Sequence, residues 1–194
     1  MILSDRDIKT AIKEKRITVI PTPNLSVQLG TCSLDLRLGN VFRVFDYSKY
    51  PYIDPARKDY SNEITKKVTV RKGEDFIMQP GDFALAMAFE KVTIDSTLLG
   101  RLEGRSSLAR LGIVVHSTAS VFDPGWDGNP VLELGNLGPK PAILYSGMPI
   151  CAFTFEKIGA PVKMPYEGSR SDRYSGSKEA VASKIDQATV ANKK

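Results

Sequence analysis

The chain holds one histidine, one tryptophan and two cysteines in 194 residues. The cysteines, Cys32 and Cys151, lie far apart, and no Cys-x-x-Cys pair occurs. A Cys/His zinc centre of the kind that activates water in zinc deaminases therefore cannot be built. Both cysteines sit in strand-like runs and read as buried, reduced thiols. No stretch approaches the roughly 20 consecutive apolar residues needed to span a bilayer. The N-terminal MILSDRDIKT is acidic early and lacks the apolar centre of a signal peptide. A cytoplasmic chain with no membrane partner is expected. Long basic runs are also missing, and only pairs such as Lys66-Lys67 and Lys193-Lys194 occur. The net charge of +5 suits an anionic ligand of any size. Without an interleaved aromatic and basic signature, nucleic acid is not an expected partner.

What the chain does contain is a run of short alternating segments. Cys32, Leu34, Leu36 and Leu38 alternate with polar residues, and Phe83, Leu85, Met87 and Phe89 alternate with alanines. Val114, His116 and Thr118 share one face of a further candidate strand, and Ile150 to Phe155 form a last strong one. Gly39-Asn40, Pro80-Gly81-Asp82, Asp123-Pro124-Gly125, Gly138-Pro139 and Ser146-Gly147 read as the turns between them. One helix is expected at the start, with Ser4 as its cap, Asp7 completing a capping box, and an end near Lys15. The pattern predicts an all-β fold, a distorted jelly-roll-like β-barrel with a short N-terminal helix. The barrel domain is placed at 1–166. The Ser-, Lys- and Arg-rich residues 167–194 form a tail that either frays or orders over a bound ligand.

Chemistry concentrates between Gly104 and Gly128. Ser106-Ser107-Leu108-Ala109-Arg110-Leu111-Gly112 reads as a short helical turn closed by glycine. Two hydroxyls at its start, with Arg105 and Arg110 beside them, suit phosphate oxygens. The same residues also suit a capped surface helix with solvated arginines. Glu133 lies in the apolar run Val131–Leu134, on one face with Val131 and Gly135. A half-buried carboxylate needs a partner, for which an arginine of the Ser-Ser segment is expected. Glu133 is then either a structural ion pair or a general base. His116 is either a packed strand residue or a functional group. Asp123 either closes the Asp123-Pro124-Gly125-Trp126 turn or accepts a hydrogen bond from a sugar hydroxyl.

The runs GRSSLARLG, VHSTA, FDPGWDG and VLELGN, in this order, resemble those of the deoxycytidine triphosphate (dCTP) deaminase family, a branch of the trimeric dUTPase superfamily. The resemblance extends through SLDLRLGNVFRVF, PGDFALA and AVASKID, and so over almost the whole chain. It implies a homotrimer with active sites between subunits. It also implies hydrolytic deamination of dCTP to dUTP and ammonia without zinc, with Mg²⁺ carried by the triphosphate. By the same resemblance, Glu133 is the catalytic carboxylate, and Ser106, Ser107 and Arg110 serve the phosphates and the reacting water. His116, Ser117 and Ala119 lie on the segment whose backbone reads the base. Asp123 binds the deoxyribose, and Tyr166 stands near base and sugar. The tail departs from the family's Lys-Tyr pair and following Gln, placing Arg173, Tyr174 and Ser177 there, with Lys178 as a substitute cation.

Four functions share these motifs to different degrees: a dCTP deaminase releasing dUTP, a bifunctional enzyme that continues to dUMP and pyrophosphate, a plain dUTPase, and a nucleotide-binding or structural barrel. The missing Gly-rich, Phe-containing arginine motif at the C-terminus argues against the plain dUTPase. Glu133, Ser106 and Arg110 together argue against the non-enzymatic barrel.

Overall fold

The computed structural model describes residues 1–46, 48, 50–54, 60–167, 173, 174, 176 and 180–184. The chain opens with α1 (Asp5–Lys13), β1 (Ile17–Ile20), α2 (Leu25–Gln28) and the long β2 (Ser33–Phe45). It continues through α3 (Tyr60–Glu63), β3 (Thr65–Thr69), β4 (Phe76–Met78), β5 (Phe83–Ala88), β6 (Lys91–Ile94) and β7 (Leu98–Gly104). After α4 (Ser106–Ala109) come β8 (Ile113–Val114), β9 (Val121–Phe122), β10 (Asp127–Gly128), β11 (Val131–Asn136), β12 (Ala142–Leu144) and β13 (Pro149–Lys157).

The main sheet is antiparallel, in the order β8-β11-β5-β2-β13-β7-β9, with β3 added to β2. It curls into a half-barrel. β2 makes the curl possible, because its first half pairs with β13 and its second half with β5 and β3. The register slips between Leu38 and Phe42, and at Gly39 a side chain would press on the Met87 carbonyl. Gly39-Asn40 is therefore a bend inside one strand and not the turn its composition suggested. Glycine lets the two backbones approach there.

The buried leucines follow the alternation. Leu34, Leu36 and Leu38 are fully buried, as are Leu132 and Leu134 of β11 in the same core. In β5 the small residues face inward: Ala84, Ala86 and Ala88 are buried, while Phe83, Leu85 and Met87 are half-buried on the other face. Alanines allow close packing on one side, and the large side chains are left to form the other wall. The helix α1 is built as its sequence indicates. Ser4 accepts from the Asp7 amide, the Asp7 carboxylate accepts from the Ser4 amide, and the helix stops at Lys13, with Lys15 at φ +60°.

Two expectations are corrected. Cys151 is buried on β13, and burial, then the nearby Glu90 and Asp35 carboxylates, pushes its thiol far up. Cys32, however, is exposed, because it stands in the bend just ahead of β2. The expected strand through Val114, His116 and Thr118 ends at Val114. Beyond it residues 115–117 still run beside β11, bonded to Glu133, but without regular strand pairing.

Candidate functional site

Glu133 sits in the middle of β11, directly opposite Leu85 of β5. Its face, shared with Val131, turns away from the leucine core, as the alternation requires. The face lines a cavity of about 490 Å³ together with Leu85, Phe83 and Phe45. Glu133 is half-buried among these apolar walls. Among the described residues its partner is not an arginine: Oε2 accepts a 2.7 Å hydrogen bond from the Ser117 backbone amide. The amide arrives there because the Glu133 N–H donates to the Val115 carbonyl at 3.0 Å, which lays residues 115–117 along β11. A backbone donor compensates the half-buried carboxylate without adding a second charge.

The opposite wall comes from the Asp123-Pro124-Gly125-Trp126 turn. The Trp126 amide donates to the Asp123 carbonyl, and Gly125 adopts φ +86°. A side chain at Gly125 would collide with Pro165, so glycine is required for both conformation and space. The turn carries the exposed Asp123 to the cavity rim and buries Trp126 beneath it. Trp126 stands edge-on to Phe122 at 4.9 Å and lies 5.3 Å from the Tyr166 ring. Tyr166 is held by its amide, which donates to the Pro124 carbonyl, and its hydroxyl accepts from the Arg173 amide at 3.3 Å. Ala119, Tyr174 and residues 181–183 also line the cavity, as do Asp54, Ile64 and Thr65.

The structure thus brings Glu133, Ala119, Asp123 and Tyr166 to one cavity, with Ser117 bonded to Glu133. His116 is half-buried beside this segment, and its Nδ1 is buried without a hydrogen-bond partner. Ser106 and Ser107 on α4, and Arg110 just past its end, are exposed and do not line the cavity. Arg105 does not line it either. Its guanidinium lies 3.1 Å from the Asp35 carboxylate and donates to the Pro149 carbonyl, so it ties the start of α4 to β2 and β13. Burial pushes the Asp35 carboxyl up, and Arg105 opposes that shift. Arg173 contributes its backbone to Tyr166 but not its side chain to the cavity, and Ser177 and Lys178 lie outside the described residues. Sequence reasoning missed the apolar wall of Phe45, Phe83, Leu85 and Val131. Its signal was the alternation in β5, where Phe83 and Leu85 face the cavity and the alanines face the core.

Among the described residues, no cluster of three or more His, Cys, Asp or Glu side chains is arranged to hold a metal ion. Among them too, no helix is long and apolar enough to cross a membrane.

Comparison with known proteins agrees with this architecture. A solved structure of 2'-deoxycytidine 5'-triphosphate deaminase from Agrobacterium tumefaciens shares the fold at a TM-score of 0.62 and 19% identity. The match covers 81% of this chain and 48% of that one, so the chain spans about half its length. Relatives are more alike in sequence. A dCTP deaminase of Thermomicrobium roseum is 51% identical over 95% of this chain and 94% of its own. A "dCTP deaminase, dUMP-forming" of Dictyoglomus turgidum is 40% identical over 96% of this chain and 95% of its own. The model of the dCTP deaminase-like family matches residues 2–158, and the chain belongs to that family.

Proposed function

We propose that the protein deaminates dCTP by hydrolysis, giving dUTP and ammonia, with Glu133 as general base and no zinc. The observation that carries the reading is a carboxylate held by one backbone amide inside a largely apolar cavity of nucleotide size. With Oε2 fixed by Ser117, Oε1 is the atom that takes a proton from water. The resulting hydroxide attacks C4 of the cytosine. Glu133 then delivers one proton to ring nitrogen 3, and the amine leaves as ammonia with a second proton passed through the same carboxyl group. Backbone groups at Ser117 and Ala119 orient the pyrimidine, and Asp123 and Tyr166 hold the deoxyribose. Mg²⁺ enters as part of the substrate, bound to the triphosphate.

Ser106 and Arg110 do not line the cavity of their own chain. The reading therefore requires a neighbouring copy, in a homotrimer, to bring them to Glu133, where they hold the water and offset charge in the transition state. A second reading, in which the same site also cleaves dUTP to dUMP and pyrophosphate, is favoured by the 40% identical relative named dUMP-forming. One assay tests both: the protein is incubated with dCTP and Mg²⁺ and the products are separated. Accumulating dUTP supports the first reading, and dUMP appearing without free dUTP supports the second. Absence of turnover would reduce the protein to a nucleotide-binding barrel.

A further inference from the structure

Arg43 has no part in the chemistry above, yet it joins β2 to the segment 180–184. It lies on β2 opposite Leu85, and Leu85 in turn lies opposite Glu133. Arg43 and Glu133 therefore share one face of the sheet, two strands apart, or roughly 10 Å. The Arg43 Nε donates to the Ala180 carbonyl at 2.6 Å, and Nη1 donates to Thr65 Oγ1 at 3.0 Å. The fork of one guanidinium is thus fixed on a barrel hydroxyl and spends its other arm on the backbone of the C-terminal segment.

The fully buried side chains of that segment are small. Ala180 and Ala182 are buried at 1% and 3% exposure, but alanine offers only a methyl group of apolar area. The Lys184 amide donates to the Tyr174 hydroxyl, which couples residues 180–184 to Tyr174. Tyr174, Val181, Ala182 and Ser183 all line the cavity of Glu133. We propose that Arg43 is a positioning residue, a latch that seats residues 180–184 against the barrel and so sets the C-terminal wall of the substrate cavity. A hydrogen bond from a charged donor to a partly buried carbonyl is strong enough to decide where such a short segment rests.

The test uses the full-length chain with Arg43→Ala and Arg43→Lys. Lysine keeps the charge but cannot hold both oxygens with a rigid fork. Amide hydrogen exchange is measured by peptide, without nucleotide, and the kinetics of dCTP deamination are measured separately. Exchange in 180–184 is expected to accelerate in both variants, more in Ala than in Lys, while peptides from β2 and β3 keep their rates. The KM for dCTP is expected to rise about tenfold in Arg43→Ala, with kcat changed less. Unchanged exchange in 180–184 overturns the latch. Acceleration shared equally by β2 and β3 also overturns it, because Arg43 would then be a structural residue of the sheet. If Arg43→Ala does not fold, Arg43→Lys decides by the same exchange comparison. The kinetic half rests on the proposed dCTP reaction, whereas the exchange half does not. A wild-type protein inert toward dCTP would thus sink the reaction and leave the latch to be judged by exchange alone.

Discussion

At the scale of single residues, the site is built around one carboxylate and one backbone amide. The lone histidine is the residue that composition singles out, but the structure bonds Glu133 to Ser117 and not to His116. The difference follows from geometry. A backbone N–H can approach a side chain on the next strand without a rotamer to fix, so its direction is set by the sheet itself. Glu133→Gln keeps the size of the side chain and can still accept from the Ser117 amide. It loses the ability to take a proton from water. Deamination is expected to fall about 100-fold or more, with dCTP binding retained. Turnover close to that of the parent enzyme, with binding unchanged, would remove Glu133 from the mechanism.

At the scale of elements, α4 and the stretch after it are held by glycines and not by a large buried face. The helix has four residues, none of them buried, and no side-chain cap. Its position comes from Arg105 at one end and Gly112 at the other. Gly112 has φ +87°, and a side chain there would collide with the backbone of Gly138. The Leu137 amide donates to the Gly112 carbonyl at 2.7 Å, and the buried Asn136 fixes the next turn by accepting from the Gly138 amide. Gly112→Ala should therefore cost more than about 1 kcal/mol, from both strain and collision. Thermal unfolding should show a Tm lower by at least about 3 °C for a chain of this size. An unchanged Tm would mean that the loop relaxes freely and that α4 is not positioned through Gly112.

At the scale of the whole molecule, the separation between the Glu133 cavity and α4 is the decisive feature. If Ser106 and Arg110 serve the cavity of another copy, activity and assembly are inseparable. Light scattering is expected to give about three times the chain mass of 21.3 kDa at assay concentrations. Arg110→Ala and Glu133→Gln, each inactive alone, should regain partial activity when mixed under conditions that allow subunits to exchange, because mixed trimers contain some sites with both native residues. An active monomer, or no recovery on mixing despite demonstrated exchange, would place the two residues in one chain's site.

Much of this was legible in the sequence because it depends on local rules. The capping box at Ser4 and Asp7, the turn at Asp123-Pro124-Gly125, the glycine that closes α4 and the face shared by Glu133 and Val131 all follow from spacing and backbone preference. Three matters depended on partners distant in the chain. The Glu133 partner was expected to be an arginine, since charge is visible in a sequence, whereas a backbone amide from sixteen residues away is not. Gly39-Asn40 had the composition of a turn, but cross-strand pairing on both sides carried β2 through it. Tertiary contacts also decided which face of β5 met the core. Alternating large and small residues specify two faces, but only the curl of the sheet put the alanines inside and turned Phe83 and Leu85 toward the cavity.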